Sequence, residues 1–566
     1  MVCYQHALKL EPGIPEIHFN LGKALQDLGR LNEAEVSYRR VLHLSSEHGQ
    51  AWLNLGIVLR DKGRVEAAVD CFQKVLALSP NLAEAHNNLG NALRDLGRLD
   101  DAVISYRHAL ACRPDFHEAH NNLGLVEKDI GQLHDAVTSF RRALELRPDD
   151  LDVLSNLLFA QNYLADLPPG HILEQAKVFG GLVAAQARSL GGWKAISLAS
   201  KRLRVGLVSG DLRQHSVAFF LEGVLAALDM ERVELYAYAT HHLEDSVTAR
   251  LKPHFARWTR VIGLSDEAMA RHIHADAVDI LIDLAGHTAH NLLSVFAWKP
   301  APVQVTWLGY LGTTGVAAMD YLLADPLAVP REEECQFVEK VRRLPETYIC
   351  FSPPELELDP GTPPAVSQGH VTFGSFNNLT KINEAVLVCW CNVLKAVSGS
   401  RFLLKAKQLS DATVRRDLLA RFAGQGIAAD RLELVHWAPS REEHLAIYQR
   451  VDIALDPFPY PGITTTMEGL WMGVPTLTLR GDRFIGHQGK TILHNAGLPD
   501  WIAQDTDDYV AKAVAFACDL VALSELRGRL RGQLLASPVC DAPRFAQNFE
   551  AALRGMWRQW CDAAPG

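Results

Sequence analysis

The stretch from Leu455 to Pro475, LDPFPYPGITTTMEGLWMGVP, has the pattern of a strand, a loop and a helix. The apolar run Val451 to Leu455 predicts a buried strand that stops at Asp456-Pro457, because proline cannot donate to a sheet ladder. A proline-rich loop follows and ends at Gly462, and Thr464-Thr465-Thr466 then opens a helix. The stretch therefore predicts a strand–loop–helix unit.

The start of this helix has the groups that bind an anion. The hydroxyls and free amides of Thr464 and Thr465 suit a diphosphate, and Gly462 lets the backbone approach it closely. Glu468 lies one turn further along and can accept hydrogen bonds from two vicinal sugar hydroxyls. The alternative is an ordinary helix start without a ligand, and the rest of the chain decides between the two.

The composition is that of a folded protein with several domains. The 566 residues are 48% apolar and 22% charged, which excludes a disordered chain. A net charge of −10 over this length gives no pull toward nucleic acid or an anionic membrane. The longest apolar runs fall short of the ~20 residues that a membrane-spanning helix needs. We therefore predict no nucleic-acid partner and no membrane partner.

The cysteines and the N-terminus indicate a cytoplasmic protein. The ten cysteines are scattered and form no CxxC pair, which argues against a disulfide framework and against structural zinc. The first residues, MVCYQHALKL, are amphipathic and lack the apolar core of a signal peptide.

The first third of the chain repeats with a period of 34 residues. The repeated positions hold a glycine, an alanine, an aromatic residue and a proline. Examples are Gly29, Gly63, Gly97 and Gly131, with Ser46 as the one exception to the proline series Pro12, Pro80, Pro114 and Pro148. The pattern resembles the tetratricopeptide repeat and predicts an all-α superhelix over residues 1–150, beginning at the second helix of a repeat.

An asparagine recurs at one position of the first helix in each repeat. Such arrays usually bind a partner on their concave face. A file of amides has donors and acceptors that can hold an extended peptide backbone without reading its side chains. We predict that an acceptor protein binds there, and the alternative is that each amide only bridges neighbouring helices. The residues are Asn20, Asn54, Asn88, Asn122 and Asn156.

Residues 151–200 keep a helical pattern but lose the repeat register, and they predict a capping and connecting segment. Beyond them, strands alternate with helices twice, which predicts two Rossmann-like domains with parallel sheets. The first covers 201–351, a proline- and glycine-rich linker covers 352–370, and the second covers 371–566. Strands are expected at 201–209, 234–239, 258–262, 278–284 and 304–308, and then at 371–376, 401–405, 432–435, 453–455 and 476–479.

Polar residues follow the strands of the first domain, where a ligand cleft between the two domains is expected. His215 comes shortly after the first strand and is the predicted general base, since imidazole titrates near neutral pH. Asp211 can orient its ring or relay its proton. After the fifth strand, a glycine-rich turn begins at Gly309 and permits close backbone approach to a ligand.

The second domain supplies cationic and polar groups at equivalent places. Lys381 follows the first strand and is placed to neutralise a leaving diphosphate. After the third strand, Ser440 and Glu443 fit a helix-capping box, which leaves Arg441 and His444 to face the ligand. A single histidine or lysine is more often structural, but here several fall at strand ends.

The whole chain resembles the O-linked N-acetylglucosamine transferases and the related SPINDLY-type transferases. The resemblance rests on the repeat array and on five motifs in order: SGDLRQH, VTWLGYLGT, SFNNLTKIN, APSREEH and GITTTMEGLWMGVP. It implies a GT-B arrangement of two Rossmann-like domains, a uridine-diphosphate sugar between them, and inversion of the anomeric centre.

The resemblance also implies roles for individual residues. The family's catalytic histidine and aspartate fall on His215 and Asp211, and its diphosphate lysine on Lys381 with the neighbouring amide on Asn378. The nucleotide contacts fall on Ala438, Arg441, His444, Thr464, Thr465 and Glu468.

Several positions depart from the animal enzymes of that family. Those enzymes have aspartate at Glu468, glutamine at Asn378, histidine at Ile463 and proline at Leu311, and they carry a long insert that this chain lacks. His487 stands where they have an arginine. The sugar contacts near Leu311 and Tyr460 therefore carry over least well from that family, which leaves the donor sugar open.

The predicted reaction is a single displacement by a serine or threonine hydroxyl of a protein on the donor UDP-GlcNAc, with no metal and no cofactor. His215 is the predicted base, with Asp211 or a donor phosphate oxygen as alternatives. The Asp-x-Asp strings at Asp150 and Asp505 sit at helix starts and are read as N-caps rather than metal ligands.

Other functions stay open: transfer of fucose from GDP-fucose, a sugar-nucleotide epimerase, and a non-catalytic repeat scaffold.

Overall fold

The computed structural model describes residues 2–193 and 201–563. They fall into two compact units. The first unit holds the residues up to Val153 together with Gln408–Leu418, and the second holds Leu154–Lys407 and the residues from Leu419 onward.

Within the described residues, helices α1 to α9 of the first unit carry the repeats, and those from α2 onward pack as consecutive pairs. Their bounds are α1 Val2–Leu10, α2 Pro15–Asp27, α3 Leu31–Leu44, α4 Gly49–Asp61, α5 Val65–Leu78, α6 Ala83–Asp95, α7 Leu99–Cys112, α8 His117–Asp129 and α9 Leu133–Leu146. The turn glycines Gly29, Gly63, Gly97 and Gly131 have φ angles of 70°, 76°, 75° and 84°. This left-handed conformation favours glycine, which explains why glycine recurs at these turns every 34 residues.

A second glycine series lets the two helices of each pair approach closely. A Cβ on Gly90 would lie 2.6 Å from a ring carbon of Tyr106, which is fully buried. The same glycine–aromatic contact occurs in the other three pairs: Gly22 with Tyr38, Gly56 with Phe72, and Gly124 with Phe140. The repeated aromatic ring therefore fills the space that the missing Cβ leaves.

The loop before each first helix is fixed by a ring N–H group. His86 Nε2 lies 2.8 Å from the carbonyl oxygen of Pro80, and His18 and His120 make the same contact with Pro12 and Pro114. In the remaining repeat, Trp52 Nε1 donates to the carbonyl oxygen of Ser46 at 2.8 Å. The acceptor is a backbone group, so the repeat keeps this bond although serine replaces proline.

The segment Gln408–Leu418 belongs to the same unit by its contacts. Gln408 Nε2 donates to the carbonyl oxygen of Asp129 at 3.1 Å, and the Leu99 amide donates to Asp411 Oδ2 at 3.1 Å. Asp150 caps the following helix through its Oδ1, which accepts the Val153 amide at 3.0 Å, as predicted.

Two helices form the predicted connecting segment, α10 Leu151–Gln161 and α11 Pro169–Gln186. Residues 194–200 of that predicted segment lie outside the described part of the chain.

The first lobe is a seven-stranded parallel sheet in the order β3-β2-β1-β4-β5-β6-β7. Its strands are β1 Leu203–Ser209, β2 Val233–Ala239, β3 Arg257–Arg260, β4 Ile280–Asp283, β5 Val303–Thr306, β6 Tyr321–Ala324 and β7 Lys340–Arg343. Its helices are α12 Ser216–Ala227, α13 Ser246–Leu251, α14 Asp266–Ala275 and α15 Leu293–Ala297.

The second lobe is a six-stranded parallel sheet in the order β10-β9-β8-β11-β12-β13. Its strands are β8 Thr372–Ser375, β9 Arg401–Lys405, β10 Leu432–Val435, β11 Ile453–Leu455, β12 Thr476–Leu479 and β13 Ile502–Ala503. Its helices are α16 Pro364–Gln368, α17 Glu384–Ala396, α19 Arg441–Ala446, α20 Thr464–Trp471, α21 Gln488–Asn495, α22 Thr506–Cys518, α23 Leu520–Leu535 and α24 Ala542–Ala563. A further helix, α18 Ala412–Gly424, follows β9 in the chain, and its residues up to Leu418 belong to the first unit.

The predicted order of helical repeats followed by two parallel α/β sheets is confirmed. All ten predicted strands are present, whereas β6, β7 and β13 were not predicted. The domain limits stay predictions, and α24 departs from the predicted second domain in its packing. Its Phe549 ring lies 4.7 Å from Trp307 of the first lobe. Within the described residues, every helix is too short or too polar to cross a membrane.

Candidate active site

Both sheets reverse their strand order at the first strand, and the loops that leave this point meet in one cavity. In the first lobe β1 lies between β2 and β4, and in the second β8 lies between β9 and β11. Parallel sheets bind ligands at such a switch point, outside the carboxyl ends of the strands.

The cavity has a volume of about 510 Å³. Residues of both lobes and of the connecting segment line it. They are Phe159, Tyr163, Asp211, Arg213, His215, Ser216, Val217, Phe220, Thr288, Ala289, His290, Leu308, Gly309, Leu311, Tyr348, Ile349, Asn377, Asn378, Lys381, Tyr460, Ile463, Thr464 and Thr465.

His215 is the N-cap of α12 and has two partners within reach of the same ring nitrogen. Its Nδ1 lies 3.3 Å from the Val217 amide and 3.5 Å from Asp211 Oδ2. With the proton on Nε2, Nδ1 accepts from Val217. With the proton on Nδ1, the ring points that proton toward Asp211 and leaves Nε2 free to act as a base. The predicted orienting role of Asp211 therefore applies to one tautomer of the ring.

Burial lowers the pKa of His215 from its ordinary value, because a poorly hydrated site disfavours the imidazolium ion. The carboxylate of Asp211 opposes this shift, and the guanidinium of Arg213 adds to it. The ring is therefore unprotonated at neutral pH, as a general base must be.

Lys381 stands at the end of a 3-10 turn after β8 and reaches across to the loop before α20. Its Nζ donates to the carbonyl oxygen of Pro461 at 2.8 Å and to Asn377 Oδ1 at 3.3 Å, and it lies 4.0 Å from the centre of the Tyr460 ring. Burial lowers its pKa to about 8, and attraction to Asp456 opposes the shift. Near neutral pH the lysine thus supplies a cation at the cavity.

Asp456 organises the loop in front of α20, a role that the sequence analysis did not assign. Its Oδ1 accepts the Gly462 amide at 3.1 Å, and both carboxylate oxygens accept from the Thr466 hydroxyl at 3.2 Å. Burial raises the pKa of Asp456 to about 7, against the pull of these donors and of Lys381. A Cβ on Gly462 would lie 2.8 Å from Asp456 Oδ1, so the loop has room only for glycine there.

The predicted helix start is confirmed, since α20 begins at Thr464. Thr464 and Thr465 line the cavity, and the Thr465 hydroxyl donates to Asn377 Oδ1 at 3.3 Å. Asn378 also lines the cavity, and its Oδ1 accepts the Thr380 amide at 2.9 Å.

The glycine-rich turn of the first lobe is held by a buried carboxylate. A Cβ on Gly309 would lie 1.8 Å from the carbonyl oxygen of Leu284, so this close approach requires glycine. Glu339 accepts from the Thr313 hydroxyl at 2.7 Å and from the Thr314 amide at 2.7 Å. Burial raises the pKa of Glu339, another residue that the sequence analysis did not single out.

The remaining predicted donor residues are not among those that line this cavity. They are Ala438, Arg441, His444, Gly462 and Glu468. The guanidinium of Arg441 lies 4.0 Å above the ring of Phe219, a residue of the first lobe. His444 Nε2 lies 3.0 Å from Glu468 Oε2, so the predicted ribose acid also has a protein partner. Their roles toward a donor stay predictions.

Two aromatic residues of the connecting segment, Phe159 and Tyr163, complete one wall of the cavity. Their rings meet edge to face at 5.4 Å, and Tyr163 lies 5.0 Å from Tyr460 of the second lobe. Asn162 Nδ2 also donates to the hydroxyl of Tyr310 at 2.9 Å. The sequence does not mark these two residues as part of a cavity, because aromatic residues in a helical segment are typical of any packed core.

The predicted asparagine row has internal contacts in the repeat unit. Asn54 Nδ2 donates to the Tyr38 hydroxyl at 3.3 Å, Asn88 to the carbonyl oxygen of Glu84 at 2.9 Å, and Asn122 to Asn87 Oδ1 at 3.0 Å. Asn20 is exposed, and Asn156 is half-buried in α10. Each contact uses one amide hydrogen, so peptide binding by this row stays a prediction beside the bridging alternative.

In residues 2–193 and 201–563, no group of three or more His, Cys, Asp or Glu side chains is placed to hold a metal ion. Independence of a metal or cofactor stays a prediction.

Comparison with known proteins identifies related sequences over most of the chain. The sequence profile of glycosyl transferase family 41 matches residues 189–352 and 364–549. Tetratricopeptide repeat profiles match residues 3–36, 47–115 and 87–151.

Two curated relatives are plant proteins. A probable UDP-N-acetylglucosamine–peptide N-acetylglucosaminyltransferase SPINDLY of Oryza sativa subsp. japonica is 37% identical over 412 residues, which is 72% of this chain and 44% of the relative. The corresponding probable enzyme SEC of Arabidopsis thaliana is 30% identical over 373 residues, 64% of this chain and 38% of the relative. The chain thus spans less than half the length of these curated relatives.

A solved structure matches over a larger share of the chain. An O-GlcNAc transferase variant of Thermobaculum terrenum is 36% identical, with a TM-score of 0.85 over 91% of this chain and 98% of that one. The predicted fold, tetratricopeptide repeats followed by a two-lobed transferase, agrees with this match.

Proposed function

The chain belongs to glycosyl transferase family 41, and we propose that it transfers N-acetylglucosamine from UDP-N-acetylglucosamine to serine or threonine hydroxyls of proteins. One observation carries the proposal. A candidate base of one lobe, His215, shares a cavity with a half-buried cation, Lys381, and a helix start, Thr464 and Thr465, of the other lobe.

The reaction is a single displacement that inverts the anomeric carbon. The acceptor hydroxyl forms the new bond to this carbon as its proton passes to the base, and the bond to the diphosphate breaks on the opposite face. His215 is the proposed base in the tautomer whose Nδ1 proton faces Asp211. Asp211 and a donor phosphate oxygen are the rival bases. General-base assistance contributes about 10²–10⁴-fold.

The diphosphate gains one negative charge as its bond to the anomeric carbon breaks, and this charge needs compensation. Lys381 supplies a cation, and the hydroxyls and first amides of α20 at Thr464 and Thr465 supply donors. These groups are fixed before the reaction, since Lys381 and Thr465 both contact Asn377 Oδ1. The proposed reaction uses neither a metal nor a further cofactor.

The proposed acceptor is a protein segment that lies along the repeat array. The support is the recurrence of Asn20, Asn54, Asn88, Asn122 and Asn156 at one helix position of successive repeats. Substitution of Asn54, Asn88 and Asn122 by alanine should raise the KM for a protein acceptor and leave that for a serine pentapeptide unchanged. Equal effects on both acceptors would favour the bridging role.

The test is transfer of radiolabelled sugar from the nucleotide donor to proteins of a cell lysate, with mass spectrometry of the labelled side chain. Labelled N-acetylglucosamine on serine or threonine is the expected product. His215→Ala and Lys381→Ala should each lower the rate by about 10²-fold or more. The matched controls His43→Ala and Lys395→Ala change exposed helical residues and should leave the rate unchanged.

GDP-fucose is the second donor in the same assay. Labelling from GDP-fucose alone would replace the proposed donor with the fucose alternative. A free epimerised nucleotide sugar would point to an epimerase, and full activity of both alanine variants would remove this cavity from the reaction.

A further inference from the structure

Three side chains from different elements of the second lobe form a continuous hydrogen-bonded chain. Lys405, the last residue of β9, places its Nζ 2.7 Å from His444 Nδ1 in α19. His444 Nε2 in turn lies 3.0 Å from Glu468 Oε2 in α20. Glu468 is 4% exposed, so its charge needs fixed partners.

This chain fixes the proton on the imidazole. An ammonium group has only donors, so Nδ1 must offer its lone pair to Lys405. The ring proton is therefore on Nε2, from which it is donated to the carboxylate of Glu468. The order of groups is a cation, a neutral ring and an anion, and every contact joins a donor to an acceptor.

The ring plane is fixed by aromatic neighbours. Phe376 and Tyr448 stack with their centres 3.7 Å apart and 10° between their planes. The His444 ring stands nearly perpendicular to both, at 86° and 88°. The Tyr448 hydroxyl donates to the carbonyl oxygen of Thr465, which links this cluster to the first turn of α20.

Glu468 follows Thr464 by four residues in the same helix, so the two side chains lie on one face, one turn apart. A diphosphate bound at the threonines would therefore have the carboxylate one helical turn away, within reach of the adjoining ribose. Oε2 is used by His444, which leaves Oε1 as the acceptor for a ribose hydroxyl.

We propose that Lys405 is a positioning residue for the donor: through the fixed tautomer of His444 it orients Glu468 to accept the vicinal hydroxyls of a nucleotide ribose. This inference rests on the proposed function, and it adds a residue that does not touch the nucleotide. Without Lys405 the ring proton of His444 is free to move from Nε2 to Nδ1. Nε2 would then turn a lone pair toward the Glu468 carboxylate, which would lose the hydrogen bond that orients it.

The experiment compares the wild-type chain with Lys405→Met, Lys405→Arg and the exposed control Lys395→Met. Calorimetry measures binding of UDP and of 2′,3′-dideoxyuridine diphosphate, and the imidazole ¹⁵N spectrum gives the tautomer of His444, identified by its loss in His444→Phe. The wild-type chain should show an unprotonated Nδ1 and bind UDP about tenfold more tightly than the dideoxy analogue. GDP and its dideoxy analogue are measured in the same way.

Lys405→Met should give a mixed tautomer and lose most of the preference for UDP over its dideoxy analogue, while Lys405→Arg should restore both and Lys395→Met should change neither. If the Lys405→Met variant kept the wild-type preference for UDP over its dideoxy analogue, or kept the wild-type tautomer of His444, the proposed role of Lys405 would be wrong. The proposed function would not be affected by either result. If the wild-type chain bound neither UDP nor GDP, the proposed function would fall and the ribose role with it.

Discussion

His215 and Lys381 both hold a proton less strongly than the same side chains in water, because partial burial at the cavity disfavours their charged forms. The lowered pKa keeps the His215 ring unprotonated, as a base requires. It also sets an upper pH limit for activity near the Lys381 pKa of about 8, above which the lysine loses the charge that binds an anion. Activity is therefore expected between the pKa values of these two groups.

Asp211→Asn should move the acid limb of the kcat/KM profile to lower pH. The Asp211 carboxylate raises the pKa of His215 against the effect of burial. Its removal lowers that pKa further, so the ring stays unprotonated at lower pH, although loss of its partner also lowers the maximal rate. A pH–rate profile from pH 4.5 to 9 checks this. An acid limb that does not move would show that another group, such as a donor phosphate, accepts the proton.

The residues at the cavity were predictable from the sequence where strand ends decide their position. Asp211, His215, Asn378, Lys381 and Thr464 each follow a buried run, and the carboxyl ends of parallel strands share one edge. The partners of Glu468 were not predictable in this way, because Lys405 and His444 belong to separate elements and meet only through packing.

Two of the strands that the sequence did not predict, β6 and β7, are short. Strand β6 is apolar but only four residues long, and β7, Lys-Val-Arg-Arg, is charged and lies at the sheet edge. Short runs of this kind have neither the length nor the alternation that marks a strand. The repeat helices were predictable in full, since the same residues recur every 34 positions.

Gly90→Ala should lower the free energy of unfolding by about 1–3 kcal/mol, because the added methyl group overlaps the buried Tyr106 ring at 2.6 Å. Gly49→Ala is the matched control at the first residue of α4, where a Cβ meets no atom within 4 Å. Urea unfolding monitored by circular dichroism measures both. A Gly90→Ala variant as stable as the control would mean that the helix pair relaxes without cost.

The whole molecule depends on contacts that join the connecting segment to the two lobes. Arg483 is 4% exposed and donates to the carbonyl oxygens of Leu164 at 3.4 Å and Leu167 at 3.0 Å. Arg483→Met should therefore lower the free energy of unfolding by about 1–3 kcal/mol, since the buried Leu164 carbonyl and the partly buried Leu167 carbonyl both lose a charged donor. The exposed Arg480→Met is the control, and thermal unfolding of the full chain is the measurement. Equal midpoints for the two variants would contradict this role.

Donor binding should raise the unfolding midpoint of the full chain. A ligand at 100 times its dissociation constant stabilises the folded state by about 2.7 kcal/mol, which corresponds to a rise of a few degrees. Thermal unfolding with UDP-GlcNAc, GDP-fucose and no addition checks this and ranks the donors. We expect the larger rise with UDP-GlcNAc, and a rise with GDP-fucose alone would support the other donor.

The aromatic wall made by Phe159 and Tyr163 limits how far the protein can be shortened for experiments. A fragment that starts at residue 201 would keep both sheets but open the cavity to bulk water on one side. Solvent would then hydrate Lys381 and weaken its hold on a phosphate, so the fragment would bind its donor poorly, and it would also lose the bonds of Arg483 to Leu164 and Leu167. The smallest autonomous catalyst must accordingly begin ahead of α10.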